Sequence, residues 1–228
     1  MDIDELKQAA AAKAVEQVKS GMVLGLGSGS TSRFAVAKIG ELWQAGKLTN
    51  IIGVPTSEST AALARQYGLP LAALDEQPLI DLAIDGADEV DPHLNLIKGL
   101  GGALLREKMV DVAAKRFVVI VDESKLVEKL GTRSPLPVEV VQFGWKTQLV
   151  WLESLGCRPT LRGGEAEPFI TDNGNYILDC AFPNGIDNSA ELAAVLRNRV
   201  GVVEHGLFLD MADEVIVAGS DGVWQIRL

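Results

Sequence analysis

Met22-Val-Leu-Gly-Leu-Gly-Ser-Gly-Ser-Thr31 is the stretch on which the reading of the fold turns. A short apolar run leads straight into a glycine-rich turn closed by two hydroxyl residues, and a helical pattern follows from about Ser32. Glycines at 25, 27 and 29 let the backbone bend sharply and come close to a ligand, because no Cβ stands in the way. The next N–H groups, from Gly29 on, and the Ser30 and Thr31 hydroxyls would then face an anion at a helix N-terminus. That is a phosphate cradle, and it points to a phosphate ester. No Lys precedes Ser30 or Thr31, so it is not a Walker loop. The dinucleotide pattern fits poorly: its third glycine position falls on Ser30. The second strand candidate, 51–54, also ends in Pro55-Thr56-Ser57, not in the acidic residue that would hold a ribose. The plain alternative is a tight strand-to-helix turn with no ligand.

Apolar strand-like runs recur along the chain at 22–26, 51–54, 80–84, 94–97 and 117–121. Helical patterns at about 32–45, 57–67 and 102–115 separate several of them, and another at 4–19 opens the chain, stopped by Ser20-Gly21. This alternation predicts an α/β fold, a Rossmann-like, mostly parallel sheet with helices on both faces. Ligands of such sheets bind beyond the carboxyl ends of the strands. The polar clusters at 27–31, 85–91, 98–102 and 122–125 each follow one of the runs, which sets four loops on one rim. A linker, Gly131-Thr132-Arg133-Ser134-Pro135-Leu136-Pro137, then changes the pattern. Beyond it the order reads strand 137–142, helix 145–155, strand 158–162, strand 175–181, helix 188–199, strand 201–204. That is the ferredoxin-like β-α-β-β-α-β plan, with a hairpin turn expected at Asp172-Asn173-Gly174-Asn175. Strands at 214–218 and 223–227 should return to the first sheet. The expected domains are therefore 1–131 with 206–228, and 132–205.

The 228 residues are 47% hydrophobic, enough for a substantial core. No apolar run reaches 18 residues and the N-terminus lacks a signal-peptide pattern, so no membrane partner and a cytoplasmic location are expected. Cys157 and Cys180 have neither metal-ligand nor redox-motif spacing and read as reduced and packed. A net charge of −10 argues against nucleic acid, and it requires specific cations at any phosphate site. Lys98 and Lys125 lie in the right loops. His93 and His205, the two histidines, have no plausible third ligand for zinc, and Gly27-Ser28-Gly29-Ser30 is off register for a nucleophile elbow.

Asp85-Gly86-Ala87-Asp88-Glu89-Val90-Asp91 crowds four carboxylates into one loop, an arrangement that suits proton transfer. Gly86-Ala87 lets the backbone approach a ligand between Asp85 and Asp88, whereas Glu89 and Asp91 read as turn-capping groups. A calcium loop fits poorly, because Gly86 is in the wrong place for the twelve-residue pattern; a magnesium site stays open. Lys98-Gly99-Leu100-Gly101-Gly102 opens the next helix, with Lys98 able to oppose a developing negative charge. Glu107 is either a helix glutamate pairing with a neighbouring cation or a group within reach of a ligand at that turn.

These motifs occur together and in order with Pro135-Leu136-Pro137-Val138-Glu139-Val140 and Thr171-Asp172-Asn173-Gly174-Asn175. As a set, over nearly the whole chain, they resemble the type A ribose-5-phosphate isomerase family. The resemblance implies interconversion of ribose 5-phosphate and ribulose 5-phosphate through an enediolate, with no metal and no cofactor. It makes Glu107 the base moving a proton between C2 and C1, and Asp85 the group handling protons on the sugar oxygens. It has Asp88 and Lys98 orient the sugar, with Lys98 and the N–H groups of Gly99, Leu100 and Gly101 at the enediolate. Ser28, Gly29, Ser30 and Thr31, with Lys7 and Lys125, would hold the phosphate and nearby hydroxyls, with Gly86 and Ala87 lining the substrate. It implies a homodimer, with a tetramer left open. Leu100 stands where the family often has a third consecutive glycine, and Ser28 where a threonine is common. Two other classes fit parts of the pattern: a sugar-phosphate-sensing binding domain, and a magnesium-dependent phosphotransfer enzyme using the acidic loop.

Overall fold

A computed structural model describes residues 2–227. The elements run α1 (Ile3–Val15), β1 (Val23–Leu26), α2 (Ser32–Gln44), β2 (Ile52–Pro55), α3 (Glu58–Gln66), β3 (Leu82–Gly86), β4 (Glu89–Val90) and β5 (Leu96–Ile97). Next come α4 (Leu104–Val112), β6 (Phe117–Asp122), a 3-10 turn (Glu123–Lys125), β7 (Leu136–Val140), α5 (Trp145–Glu153), β8 (Arg158–Leu161) and β9 (Tyr176–Ala181). The chain closes with α6 (Ser189–Arg197), β10 (Val202–His205), β11 (Leu207–Phe208), β12 (Glu214–Gly219) and β13 (Gly222–Ile226). It divides into two compact units: residues up to Ala87 with Arg106–Lys125 and those from Met211 on, and Asp88–Leu105 with Leu126–Asp210.

In the first unit a six-stranded sheet has the order β13-β12-β6-β3-β1-β2, parallel except for the final hairpin strand β13. Strands β6 and β12 are buried along their whole length, as continuous apolar runs are when helices cover both faces. Leu24, Leu26, Leu82, Ile84, Val118, Ile120 and Ile216 pack with α1 and α2 on one side. Val54 and Ile80 pack with Val110 of α4 on the other. Helix α1 starts with a reciprocal capping box, Glu5 N–H to Asp2 Oδ1 and Asp2 N–H to Glu5 Oε2, both 2.8 Å. It ends at Val15 rather than 19, because the next N–H groups, of Gln17 and Val18, bond three residues back and tighten the chain. The helix expected over 102–115 is shorter too, closing at Val112, with Ala114 N–H on Asp111 O.

The second unit holds an antiparallel four-stranded sheet of order β10-β7-β9-β8 with α5 and α6, the ferredoxin-like arrangement. Its core includes Leu136, Val138, Leu178, Leu152 and Leu196. The turn expected at 172–175 forms, with Gly174 N–H on Thr171 O and Thr171 N–H on Asn175 O, both 2.9 Å, but it sits at the far end of a longer connection, since β8 ends at Leu161 and β9 starts at Tyr176. Here too lies a three-stranded sheet, β11-β5-β4. The run at 94–97 thus contributes an antiparallel strand to this sheet, not a fifth parallel strand to the large one. Asp91 causes the reversal: its Oδ1 accepts from His93 N–H (2.8 Å) and Asn95 N–H (2.9 Å), and Leu94 takes φ 58°. Residues 88–105 consequently group with the second unit, where the sequence pattern assigned them to the first, and its limits fall at 126 and 210. Among the described residues no helix is long and apolar enough to cross a membrane.

Candidate active site

Parallel pairing puts the carboxyl ends of β1, β3 and β6 on one rim of the first unit, so the loops at 27–31, 85–87 and 122–125 share it. Gly27 continues the ladder, its N–H on Ile84 O at 3.0 Å. A Cβ on Gly27 would stand 2.1 Å from Asp85 Oδ1, so only glycine admits that carboxylate. Fully buried Asp85 takes Ser28 N–H (3.0 Å), Ser32 Oγ–H (2.8 Å) and Gly86 N–H (2.7 Å) on this same oxygen. The carboxylate thereby braces the turn. Ser30 and Gly29 are exposed, Gly29 with φ 99°. Among the described residues the N–H groups of Gly29, Ser30 and Thr31 donate to no protein acceptor. N–H groups of this kind at a helix start are donors that an anion can take. Thr31 is the N-cap of α2 without a side-chain capping bond, and Ser32 rather than Ser30 or Thr31 supplies the hydroxyl that reaches Asp85.

Pro55-Thr56-Ser57, set aside in the sequence for lacking an acidic residue, proves central to the turn. Ser28 Oγ lies 2.6 Å from Thr56 Oγ1, 2.6 Å from Ser57 Oγ and 2.9 Å from Thr60 Oγ1. Thr60 Oγ1 also donates to Gly27 O at 3.0 Å, and Ser57 caps α3 through Thr60 N–H. The signal was the Ser-x-x-Thr spacing at a helix start, which reads as a cap alone until β1 and β2 are paired.

Helix α4 runs against the strands: Lys115 N–H bonds Ile80 O at 2.8 Å, so its end lies at the start of β3. Val110 sits over Gly25, whose Cβ, if present, would be 2.8 Å from Val110 Cγ1. Glu107 is three helix residues, about 4.5 Å, nearer the rim than Val110. Gly27 is two strand residues, about 6.6 Å, beyond Gly25. Glu107, 4% exposed, therefore stands at the level of Asp85 and the turn. Lys125 ends the 3-10 turn after β6, partly exposed, and Lys7 pairs with Asp4 at 3.7 Å.

In the second unit, Asp88 and Lys98 flank the glycine turn. Asp88 Oδ2 accepts Leu100 N–H at 2.9 Å. Lys98, 2% exposed, bonds Gly206 O through its N–H (2.9 Å) and carries its ammonium 5.3 Å from the Phe208 ring centre. Lys98 thus follows a strand of the small sheet and not of the parallel one. Gly99 (φ 104°) and Gly102 (φ 84°) take the left-handed positions; Leu100 does not, so its side chain imposes no backbone strain and stays 40% exposed. Ala87 ends the first segment of the first unit and Asp88 begins the second unit. The two carboxylates read as turn-capping do serve the backbone. Asp91 holds its own turn, and fully buried Glu89 accepts from the N–H groups of Gly131 (2.6 Å), Arg133 (2.7 Å) and Ser134 (2.5 Å). Among the described residues no three His, Cys, Asp or Glu side chains are grouped to hold a metal ion.

A family model for ribose 5-phosphate isomerase A (phosphoriboisomerase A) matches residues 52–222. The chain is 57% identical over 226 residues to ribose-5-phosphate isomerase A of Synechococcus sp. (strain JA-3-3Ab), covering 98% of this chain and 97% of that one. Among solved structures, a D-ribose-5-phosphate isomerase in complex with phospho-erythronic acid superposes with TM-score 0.97 at 43% identity, covering all of both chains. Ribose 5-phosphate isomerase A from Methanocaldococcus jannaschii does so with TM-score 0.93 at 43% identity over 99% of each. On the motifs, the fold and these likenesses, the chain belongs to the ribose 5-phosphate isomerase A family.

Proposed function

We infer that this chain interconverts D-ribose 5-phosphate and D-ribulose 5-phosphate, with Glu107 as the proton-transferring base. The observation that carries this is a buried carboxylate on α4 level with an anion-facing turn on the same rim. Removing a proton beside a carbonyl needs a base near neutrality and a stabilised oxyanion, with no redox step. Glu107 takes the proton from C2 of the open-chain aldose and returns it to C1. Asp85 moves protons on the sugar oxygens, while Asp88 orients the hydroxyls. Lys98 and the N–H groups of the 99–101 turn stabilise the charge on the enediolate. Ser28, Gly29, Ser30 and Thr31 take the phosphate with Lys7 and Lys125, so that binding energy remote from C1 and C2 holds the reacting carbons in place. The working protein is a cytoplasmic homodimer.

Glu107→Gln keeps the shape of the side chain and removes the base. Its turnover of ribose 5-phosphate should fall by at least about 10³-fold, with the unfolding midpoint unchanged. The wild-type rate should persist in excess chelator. Wild-type turnover in Glu107→Gln would refute the assignment, and loss of wild-type activity to chelator would favour metal-dependent phosphotransfer chemistry.

A further inference from the structure

Arg162 follows β8 in the second unit, 55 residues beyond Glu107 in sequence. One edge of its guanidinium is taken by Asp179 of β9, Nε to Oδ2 at 2.9 Å and Nη2 to Oδ1 at 2.5 Å. This two-pronged fit needs the planar fork of an arginine. Both side chains are mostly shielded, 15% and 19% exposed. The Phe169 ring centre lies 5.7 Å from the guanidinium carbon, and the same ring would be 2.4 Å from a Cβ on Gly102. The remaining nitrogen, Nη1, donates to two carbonyls of the glycine turn, Gly99 O and Leu100 O, each at 3.0 Å.

Those carbonyls are the backs of two peptide groups. In a trans peptide the N–H points opposite to the C=O. The peptide joining Gly99 to Leu100 gives its oxygen to Arg162 and its N–H to Asp88 Oδ2 at 2.9 Å. The peptide joining Leu100 to Gly101 also gives its oxygen to Arg162, and among the described residues the Gly101 N–H donates to no protein acceptor. Gly101 is exposed, with no atom within 4 Å of the place a Cβ would take. A peptide beside a glycine rotates easily, so this N–H has a direction only if the oxygen behind it is held. A hydrogen bond to that oxygen also polarises the peptide and strengthens the donor on the other side. Asp179 neutralises the guanidinium, so the clamp adds hydrogen bonds with little net charge.

We propose that Arg162 is a positioning residue for the isomerisation: it holds one peptide so that Asp88 is fixed and the next so that the Gly101 N–H meets the oxygen where negative charge develops. The inference rests on the reading that sets this turn against the substrate. A plain structural brace would show in stability; this role shows in the chemical step.

The test compares Arg162→Ala, Arg162→Lys and Asp179→Asn with Lys98→Met, by steady-state kinetics on ribose 5-phosphate and inhibition by phospho-erythronic acid, whose carboxylate stands in for the charged enediolate. Arg162→Ala should lower kcat about 10- to 100-fold while KM stays within about threefold, and the inhibition constant should rise in step with the loss in kcat. Added guanidinium should restore part of the loss, and Arg162→Lys, with one compact ammonium, should recover little. Asp179→Asn keeps the fork but loosens its aim and should fall between. A folded Arg162→Ala with kcat within twofold of wild type, beside an inactive Lys98→Met, overturns the proposal and leaves the site reading standing. Wild-type turnover in both overturns the site reading itself. If Arg162→Ala does not fold, Arg162→Lys decides by the same ratio of kcat to KM.

Discussion

A single hydrogen replaced by a methyl at position 27 would meet Asp85 at three atoms: Oδ1 at 2.1 Å, Cγ at 2.3 Å and Cα at 2.6 Å. Because one of these is backbone, no rotamer of Asp85 relieves the clash. Gly27→Ala should lose about 1–3 kcal/mol in urea unfolding and lose kcat/KM far beyond that of equally destabilised variants, since Asp85 and the Ser28 N–H must part. Gly29→Ala meets no atom within 4 Å and carries only the strain of φ 99°, so its loss should be nearer 1 kcal/mol. Equal losses in the two would contradict the geometry. The sequence offered the same two reasons for glycines 25, 27 and 29, a sharp bend and close approach to a ligand. The structure distributes three: Gly25 lies under Val110, Gly27 admits Asp85, and Gly29 takes the left-handed turn. Spacing identifies a glycine turn, but which neighbour each glycine makes room for depends on chain more than 50 residues away.

Elements are joined here by carboxylates at their ends. Asp81, just before β3, accepts Val23 N–H at 2.9 Å and Lys115 Nζ at 2.7 Å, tying the starts of β1 and β3 to the end of α4. The Lys115 hydrogen bond, and after it the Val23 N–H, hold its carboxyl below the usual aspartate value. A carboxyl depressed in the folded state contributes stability that is fully present above its unfolded value, near pH 4, and is lost as pH falls through the folded one. Asp81→Asn should therefore be less stable than wild type by roughly 0.5–1.5 kcal/mol at pH 7, and the gap should close as both are titrated towards pH 2. A gap independent of pH in urea midpoints would mean the charge is not what stabilises. At this scale the sequence was most legible where a period repeats, as in α2, where Ala35, Val36, Ile39 and Gly40 are buried at helical spacing. It was least legible at 94–97. An apolar run of that length has the same pattern in a parallel sheet as in a small hairpin, and the Asp91 turn that decides between them forms hydrogen bonds that the apolar pattern does not encode.

Of the residues proposed for the chemistry, Asp85 and Glu107 belong to the first unit and Asp88 and Lys98 to the second. The second unit also exposes apolar side chains, Phe143 at 94%, Val150 at 71% and Val200 at 90%. Their segments are tied together: Val141 N–H bonds Gly201 O at 3.0 Å and Gln148 Nε2 bonds Val200 O at 3.2 Å. The proposed homodimer would cover these side chains. Light scattering should give twice the chain mass for the wild type and the single-chain mass for the double variant Phe143→Glu, Val200→Glu; a dimer unaffected by that pair would place the contact elsewhere. Most of the elements, the two folding patterns and, through motifs in register, the isomerase family were legible in the chain alone, because each of these is written in local spacing and order. Which sheet carries Lys98, the gathering of Thr56, Ser57 and Thr60 around Ser28, and the place of Arg162 behind the glycine turn came only with folding. Those facts are pairings between residues dozens of positions apart, and such pairings come into being only when strands choose their neighbours.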